Sequence, residues 1–111
     1  MRRVVVIALL ATLAGCGGGS DRSKVGHDLI VEYGCGACHH IGGVANADGN
    51  VGPPLTDFKA HRTIAGRLPR NFSDTVGWLL NPPATKPSTD MPVLNLTPAQ
   101  ARAITEYLYG Q

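Results

Sequence analysis

The clearest pattern of hydrophobic and polar positions lies at the C-terminal end of the chain. Apolar side chains recur there three or four residues apart, on one stripe: Ala101, Ile104, Tyr107 and Leu108. Thr97 stands at the N-cap position, Pro98 follows at the first helical position, and Gln100 completes a capping box. The pattern predicts a terminal helix whose apolar stripe packs against another element.

A second amphipathic stretch predicts a helix that Ser23 caps and that ends at Gly34. Its apolar side chains fall on one face: Val25, Leu29, Ile30 and Tyr33. Gly26 lacks a side chain, which either permits close crossing by another helix or is merely tolerated. We expect the terminal helix to be the crossing partner.

Between these two stretches, Asn71 or Ser73 can open a short helix that ends at Asn81. Its apolar side chains are Val76, Trp78, Leu79 and Leu80. Residues 40–52 have the glycine-rich and asparagine-rich composition of a surface loop, and residues 82–98 hold five prolines and predict a stiff, irregular loop. No alternating strand and helix pattern is present.

The first fifteen residues have the character of an export signal. A short basic start precedes an apolar run of ten residues, 4–13, which is too short for a lasting transmembrane helix. The segment Leu13-Ala14-Gly15-Cys16 resembles the lipobox of bacterial lipoproteins, in which the cysteine is lipidated. The alternative is a plain signal peptide with a stray cysteine. The resulting domain scheme is signal peptide 1–15, lipidated flexible tether 16–22 and folded domain 23–111.

The net charge of the chain gives no reason to expect a nucleic-acid partner. The chain has 10 basic and 8 acidic residues, but removing residues 1–15 takes Arg2 and Arg3 away and leaves equal numbers. The positive balance therefore belongs to the export signal, and nucleic acid is not an expected partner.

The chemistry centres on Cys35-Gly36-Ala37-Cys38-His39. Two thiols at this spacing followed by a histidine form the C-x-x-C-H pattern of covalent haem attachment. A zinc site would need a second ligand pair at similar spacing, and a redox dithiol would need strands alternating with helices around it. Neither is found, so one covalent haem c is the expected cofactor. It would also enlarge the thin core of so small a chain.

An iron held by His39 needs a sixth ligand. Met91 is the one methionine outside the signal segment, and it sits in the proline-stiffened loop. A thioether is a soft neutral ligand that raises the reduction potential, so Met91 is the expected axial partner. His61 is the best substitute and His40 the poorest, because it adjoins His39.

Two further features are expected near the haem, and a third has several possible roles. The segment Gly52-Pro53-Pro54-Leu55 is stiff, and its carbonyls suit it to hold an imidazole N–H, although an ordinary turn is the alternative. Trp78 is expected to pack on the cofactor. A run of cations from residue 59 to residue 70 contains no acid, so it is a solvated face, neutralises haem propionates or guides an acidic partner.

Taken together, residues 23–110 resemble a class I c-type cytochrome, in the order helix, C-x-x-C-H, G-P-x-L, short helix, P-x-T-x-M-P and terminal helix. The resemblance implies an all-α fold, the small cytochrome c fold, with three to four helices around one haem and the first and last helices crossing near Gly26. It implies thioethers from Cys35 and Cys38 and axial ligation by His39 and Met91. It further implies that the Pro53 carbonyl accepts from the imidazole. Thr89 and Arg62 match positions near the propionates.

The expected function is electron transfer in a respiratory chain, by a lipoprotein on the outer or periplasmic side of a bacterial membrane. The resemblance is closest to short bacterial members that donate to terminal oxidases. Redox proteins are the expected partners, with no small-molecule substrate and no enzymatic activity. The alternatives are a haem subunit docked permanently in an oxidase or dehydrogenase, and a haem enzyme or gas sensor.

Overall fold

The computed structural model describes residues 18–111, so the predicted signal segment and Cys16 lie outside the described residues. Four helices carry the fold: α1 (Gly18–Glu32), α2 (Phe72–Leu80), α3 (Pro82–Thr85) and α4 (Pro98–Tyr109). Short 3-10 turns cover Cys35–Ala37 and Phe58–Ala60, and two short strands, β1 (Thr63–Ile64) and β2 (Leu68–Pro69), form a hairpin. Among the described residues, no helix is long and apolar enough to span a membrane.

Helices α1 and α4 pack against each other, as the two amphipathic patterns predict. Gly26 makes the crossing possible, since a Cβ atom there would clash with the Ala103 carbonyl oxygen and lie 2.7 Å from Tyr107 Cβ. Ile30 and Ile104 are almost completely buried at this interface. The close-crossing interpretation of Gly26 is therefore confirmed.

Local signals account for the ends of α2 and α4. The Asn71 side chain accepts from the Asp74 amide at the start of α2, and Thr97 with Gln100 forms the predicted reciprocal capping box of α4. After α1, Gly34 adopts a left-handed conformation with φ of 68°, which ends the helix at little steric cost.

Three predictions need correction. Helix α1 begins at Gly18, so Ser23 lies inside it and residues 18–22 are helical rather than loose coil. Asp21 in the first turn favours this earlier start through the helix dipole. The loop predicted for residues 82–98 begins with the single-turn helix α3, because Pro82 suits the first position of a helix.

The hairpin was not predicted. Its turn places Ala65 and Gly66 at φ of 53° and 68°, and the Arg67 amide donates to the Ile64 carbonyl. Two consecutive positive φ values are typical of a type I′ turn, the type that suits a right-handed strand pair. Strands of two residues are too short to leave a periodic pattern in the sequence.

Candidate functional site

A cavity of about 380 Å³ opens beside the C-x-x-C-H turn. Its volume is in the ordinary range for a small-molecule or cofactor site. Helix α2, the hairpin, the loop after α3 and the end of α4 all contribute to its walls, which are mainly apolar. The cavity thus joins segments that are far apart in the sequence.

Seven of the predicted site residues line this cavity: Cys35, Cys38, His39, Pro53, Trp78, Thr89 and Met91. Arg62 does not line it and its side chain is exposed on the hairpin, so its approach to the propionates stays a prediction. Cys16 lies outside the described residues. The ligand and attachment roles of the seven stay predictions, and the structure brings them to one place.

The turn Cys35–Ala37 presents the two thiols to the cavity. Neither Cys35 nor Cys38 is in a disulfide, and both are half-buried. Burial raises the pKa of the Cys35 thiol, which keeps that sulfur protonated near neutral pH. Two thiols held side by side and unpaired are what covalent attachment of a haem requires.

Gly36 in the motif has to be small because another segment of the chain packs directly against it. Sequence analysis did not identify this reason. A Cβ atom on Gly36 would lie 2.7 Å from Ala47 Cα, and one on Gly49 would clash with the Ala37 carbonyl oxygen. The Gly49 amide donates to the Gly36 carbonyl at 3.0 Å. The segment around Ala47 therefore packs directly on the turn and fixes its shape.

His39 is oriented by Pro53, as the resemblance implies. The imidazole Nδ1 lies 2.7 Å from the Pro53 carbonyl oxygen. A carbonyl can only accept, so Nδ1 carries the proton and Nε2 keeps its lone pair for a metal. A hydrogen bond of this kind fixes both the tautomer and the ring orientation of a metal-binding histidine.

Sequence reasoning missed the role of Gly52. A Cβ atom there would overlap His39 Cε1 and lie 2.8 Å from Nδ1, so only glycine lets the ring reach the Pro53 carbonyl. The Gly52 amide also donates to the Cys38 carbonyl at 2.8 Å. The signal available in the sequence was the glycine directly before Pro53.

Met91 is half-buried in the cavity wall and belongs to a loop with few hydrogen bonds. Its amide donates to Thr89 Oγ1 at 3.1 Å, and the Thr89 amide donates to the Lys86 carbonyl at 2.9 Å. Because Thr89 Oγ1 accepts from Met91, its own O–H remains available as a donor at the cavity. Lys86 and Ser88 also line the cavity and were not predicted.

These residues fit a haem and do not fit a site for a bare metal ion. Residues 18–111 contain no cluster of three or more His, Cys, Asp or Glu side chains that could hold one. The cavity instead combines two thiols, an imidazole with a free Nε2, a thioether and apolar walls. His61 also lines it but packs against Phe58, with ring centres 5.3 Å apart.

Comparison with known proteins also indicates a haem-binding domain. The family model described as "Cytochrome c" matches residues 23–110. Cytochrome c oxidase subunit 2 of Alkalihalophilus pseudofirmus is 30% identical over 84 residues, which cover 75% of this chain and 24% of that protein. The chain thus spans about a quarter of the length of this relative. No solved structure gives a significant match.

Proposed function

Since the chain belongs to the cytochrome c family, whose members carry covalently attached haem c and transfer electrons, we propose that it is a monohaem carrier with His39 and Met91 as axial ligands. One observation carries this proposal. The imidazole with its free Nε2, the thioether and the two unpaired thiols all line a single cavity.

A bound haem would supply a one-electron couple, and the protein's residues would set its surroundings. Cys35 and Cys38 would hold the ring through two thioethers. Pro53 holds the imidazole of His39, and a methionine as second ligand favours the reduced state over a second histidine. Lys86 and Ser88 line the cavity beside Thr89, so they join Thr89 and Arg62 as candidate donors to the propionates.

With His39 and Met91 as axial ligands, the iron would lack the open coordination position that a haem enzyme or a gas sensor needs. Asp90 is the one carboxylate in the lining of the cavity. Electron transfer without bond making is the function that this arrangement supports best.

The first experiment counts the haem and tests Met91. Full-length protein matured in a host able to attach haem should give a pyridine haemochrome spectrum for one haem, and its intact mass should include that haem. Met91→Ala should abolish the methionine-to-iron absorption band, lower the reduction potential and open the reduced protein to carbon monoxide. Val93→Ala, at an exposed position of the same loop, is the matched control. An unchanged spectrum in Met91→Ala would exclude methionine ligation.

We further propose that the carrier serves a respiratory chain and is anchored by a lipid on Cys16, at the periplasmic or outer face of the cell membrane. The lipobox-like segment before Cys16 supports the anchor. Cys16→Ser should move the haem protein from the membrane fraction to the soluble fraction. Retention of that variant in the membrane would count against the lipid.

A second candidate is a haem subunit docked permanently in an oxidase. It is favoured by the match to a cytochrome c oxidase subunit, in which the similar region is one part of a longer chain. Solubilised membranes distinguish the two candidates. A stoichiometric complex with an oxidase would support the docked subunit, and a monomeric haem protein would support the carrier.

A further inference from the structure

Pro53 is an exposed residue, yet its carbonyl oxygen has to stay within hydrogen-bond distance of the His39 imidazole. Pro53 and Pro54 are both exposed, so packing in the core does not hold them. Neither proline has an N–H to donate, so neither can fasten this part of the backbone by a hydrogen bond of its own amide. The position of the Pro53 carbonyl therefore depends on the residues on either side of the two prolines.

Two backbone hydrogen bonds hold the segment around the prolines. The Gly52 amide donates to the Cys38 carbonyl at 2.8 Å, and the Leu55 amide donates to the His40 carbonyl at 2.8 Å. The two acceptors are the residues directly before and after the histidine of the C-x-x-C-H motif. The proline segment thus pairs with the segment that carries the imidazole, and the Pro53 carbonyl lies between the two hydrogen bonds.

Thr56 adds a third connection, made by its side chain. Its Oγ1 accepts from the Gly42 amide at 2.9 Å and lies 3.2 Å from His40 Nδ1. A hydroxyl can both accept and donate, so this one oxygen can serve both partners. The next residue, Asp57, has a left-handed φ of 57° and precedes a 3-10 turn. The Thr56 hydroxyl therefore closes the paired segment where the chain changes direction.

Gly42, the backbone partner of Thr56, is itself held in place. Its carbonyl accepts from the Tyr107 hydroxyl of α4 at 2.7 Å. A Cβ atom on Gly42 would lie 3.3 Å from Thr56 Cγ2, so the threonine side chain packs closely against this part of the backbone. Through Gly42, the Thr56 hydroxyl connects the proline segment to the terminal helix.

We propose that Thr56 is a positioning residue for His39, because its hydroxyl keeps the Pro53 carbonyl where the imidazole Nδ1–H donates to it. This inference rests on the proposed carrier function, with His39 as an iron ligand. A firm hydrogen bond from Nδ1–H makes the imidazole a stronger electron donor through Nε2, which favours oxidised iron and lowers the reduction potential. Thr56 thus helps to set the potential although it does not line the cavity.

A threonine with a purely structural role would change the stability of the protein and leave the potential alone. Thr105 provides the comparison. It is buried in α4, and its Oγ1 donates to the Ala101 carbonyl of the same helix at 2.8 Å. Thr105 does not line the cavity, and its hydrogen bond does not involve the segment around Pro53.

The test compares three variants of the haem-loaded, full-length protein. Thr56→Val removes the hydroxyl and keeps the shape of the side chain, Thr56→Ser keeps the hydroxyl and removes the methyl group, and Thr105→Val is the control. Spectroelectrochemical titration measures the reduction potential, and denaturant unfolding measures the stability. NMR of the reduced protein measures the exchange of the His39 Nδ1–H proton with solvent. The methionine-to-iron band shows which variants are folded.

In Thr56→Val we expect a higher reduction potential, because a carbonyl that is held less firmly makes a weaker hydrogen bond with the imidazole. At a fixed applied potential the ratio of reduced to oxidised protein should rise about threefold, which is about 28 mV for a one-electron couple. The His39 Nδ1–H proton should exchange about 10-fold faster. Thr56→Ser and Thr105→Val should keep the potential of the unmodified protein, even where they lower the stability.

An unchanged potential in Thr56→Val would overturn the proposal, whatever happens to the stability of that variant. An equal shift in Thr105→Val would also overturn it, since the loss of any threonine hydroxyl would then have the same effect. A shift in Thr56→Ser as large as that in Thr56→Val would assign the effect to the methyl group and not to the hydroxyl.

The unmodified protein provides a measurement that does not depend on the folding of Thr56→Val. The Gly42 amide and the His39 Nδ1–H proton should have the same free energy of opening in hydrogen exchange, because the paired segment opens as one unit. Different values would contradict the proposed role of Thr56. A failure of the carrier function is distinguishable, because the unmodified protein would then show no reversible one-electron couple.

Discussion

The two sides of the cavity are built in different ways. On the His39 side, residues 34–56 fold back on the C-x-x-C-H turn through hydrogen bonds from the amides of Gly49, Gly52 and Leu55. On the Met91 side, the Met91 amide is the one amide of residues 90–96 that has an acceptor within the described part of the chain. The segment around His39 is thus held by three of these hydrogen bonds, whereas the loop that carries Met91 has one. Local opening should therefore begin at Met91.

The strongest test of this difference is a substitution that places one carbon where the His39 side has no room. In Gly52→Ala the new Cβ would overlap the imidazole ring, so the ring or the backbone must shift. We expect a loss of about 1–3 kcal/mol of unfolding free energy, as for other overpacked sites, and a changed reduction potential. Denaturant unfolding and redox titration of the haem-loaded protein measure both.

Gly77→Ala is the matched control for that substitution. Gly77 lies within α2, and an added Cβ there would meet no atom within 4 Å. Replacing a helical glycine by alanine should stabilise the protein by about 0.5–1 kcal/mol. If Gly52→Ala behaved like Gly77→Ala, the tight fit around His39 would be refuted.

Hydrogen exchange compares the two sides without any substitution. The amides of Gly49, Gly52 and Leu55 have backbone acceptors, whereas those of Asp90, Val93 and Asn95 have none among residues 18–111. We expect the first three to exchange more slowly by more than about 10-fold, because exchange needs opening of the hydrogen-bonded segment. NMR exchange rates of the reduced protein provide the measurement. Similar rates on both sides would contradict the proposed difference in local stability.

The sequence predicts the helices better than it predicts the packing around His39. Local signals were sufficient for α2 and α4, since caps and apolar periodicity act within a few residues. Gly26 could be paired with α4 because both stripes needed a partner. The single-sequence pattern could not separate Gly52 from an ordinary turn glycine, because its role depends on a ring thirteen residues away.

The features that could not be predicted have a common physical origin. The resemblance implied a place for Arg62 near the propionates, but the direction of its side chain depends on a hairpin of two-residue strands. The early start of α1 depends on residues of low helix propensity. Lys86 and Ser88 reach the cavity through the path of the loop after α3, which no periodicity describes.

Thr89→Val should loosen the Met91 side further. The substitution removes the acceptor of the Met91 amide while keeping the shape of the side chain, so we expect a loss of about 1 kcal/mol. The methionine-to-iron band should weaken at lower denaturant concentration than global unfolding. Ser88→Ala, one residue earlier and also at the cavity, is the control. Equal effects of the two variants would show that the hydrogen bond to Met91 does not hold the loop.

The smallest expected effect concerns the link between the His39 side and α4. The buried Tyr107 hydroxyl donates to the Gly42 carbonyl at 2.7 Å, three residues after His39. Tyr107→Phe should cost about 1 kcal/mol or less and speed exchange around Gly42, with no change at Met91. The control is Tyr33→Phe, whose hydroxyl makes a longer bond of 3.3 Å to Gln100.

Alkaline pH should distinguish the Tyr107 hydroxyl from a mere packing effect. Burial raises the pKa of Tyr107 above its ordinary value of 10.0, so the folded state holds this proton more tightly than the unfolded chain. Its contribution to stability is therefore complete below the unfolded pKa and is lost as pH rises through the folded pKa. Unfolding free energies of the wild-type protein and Tyr107→Phe should converge above about pH 10. A constant difference between the two proteins across that range would mean that folding does not raise the pKa of Tyr107.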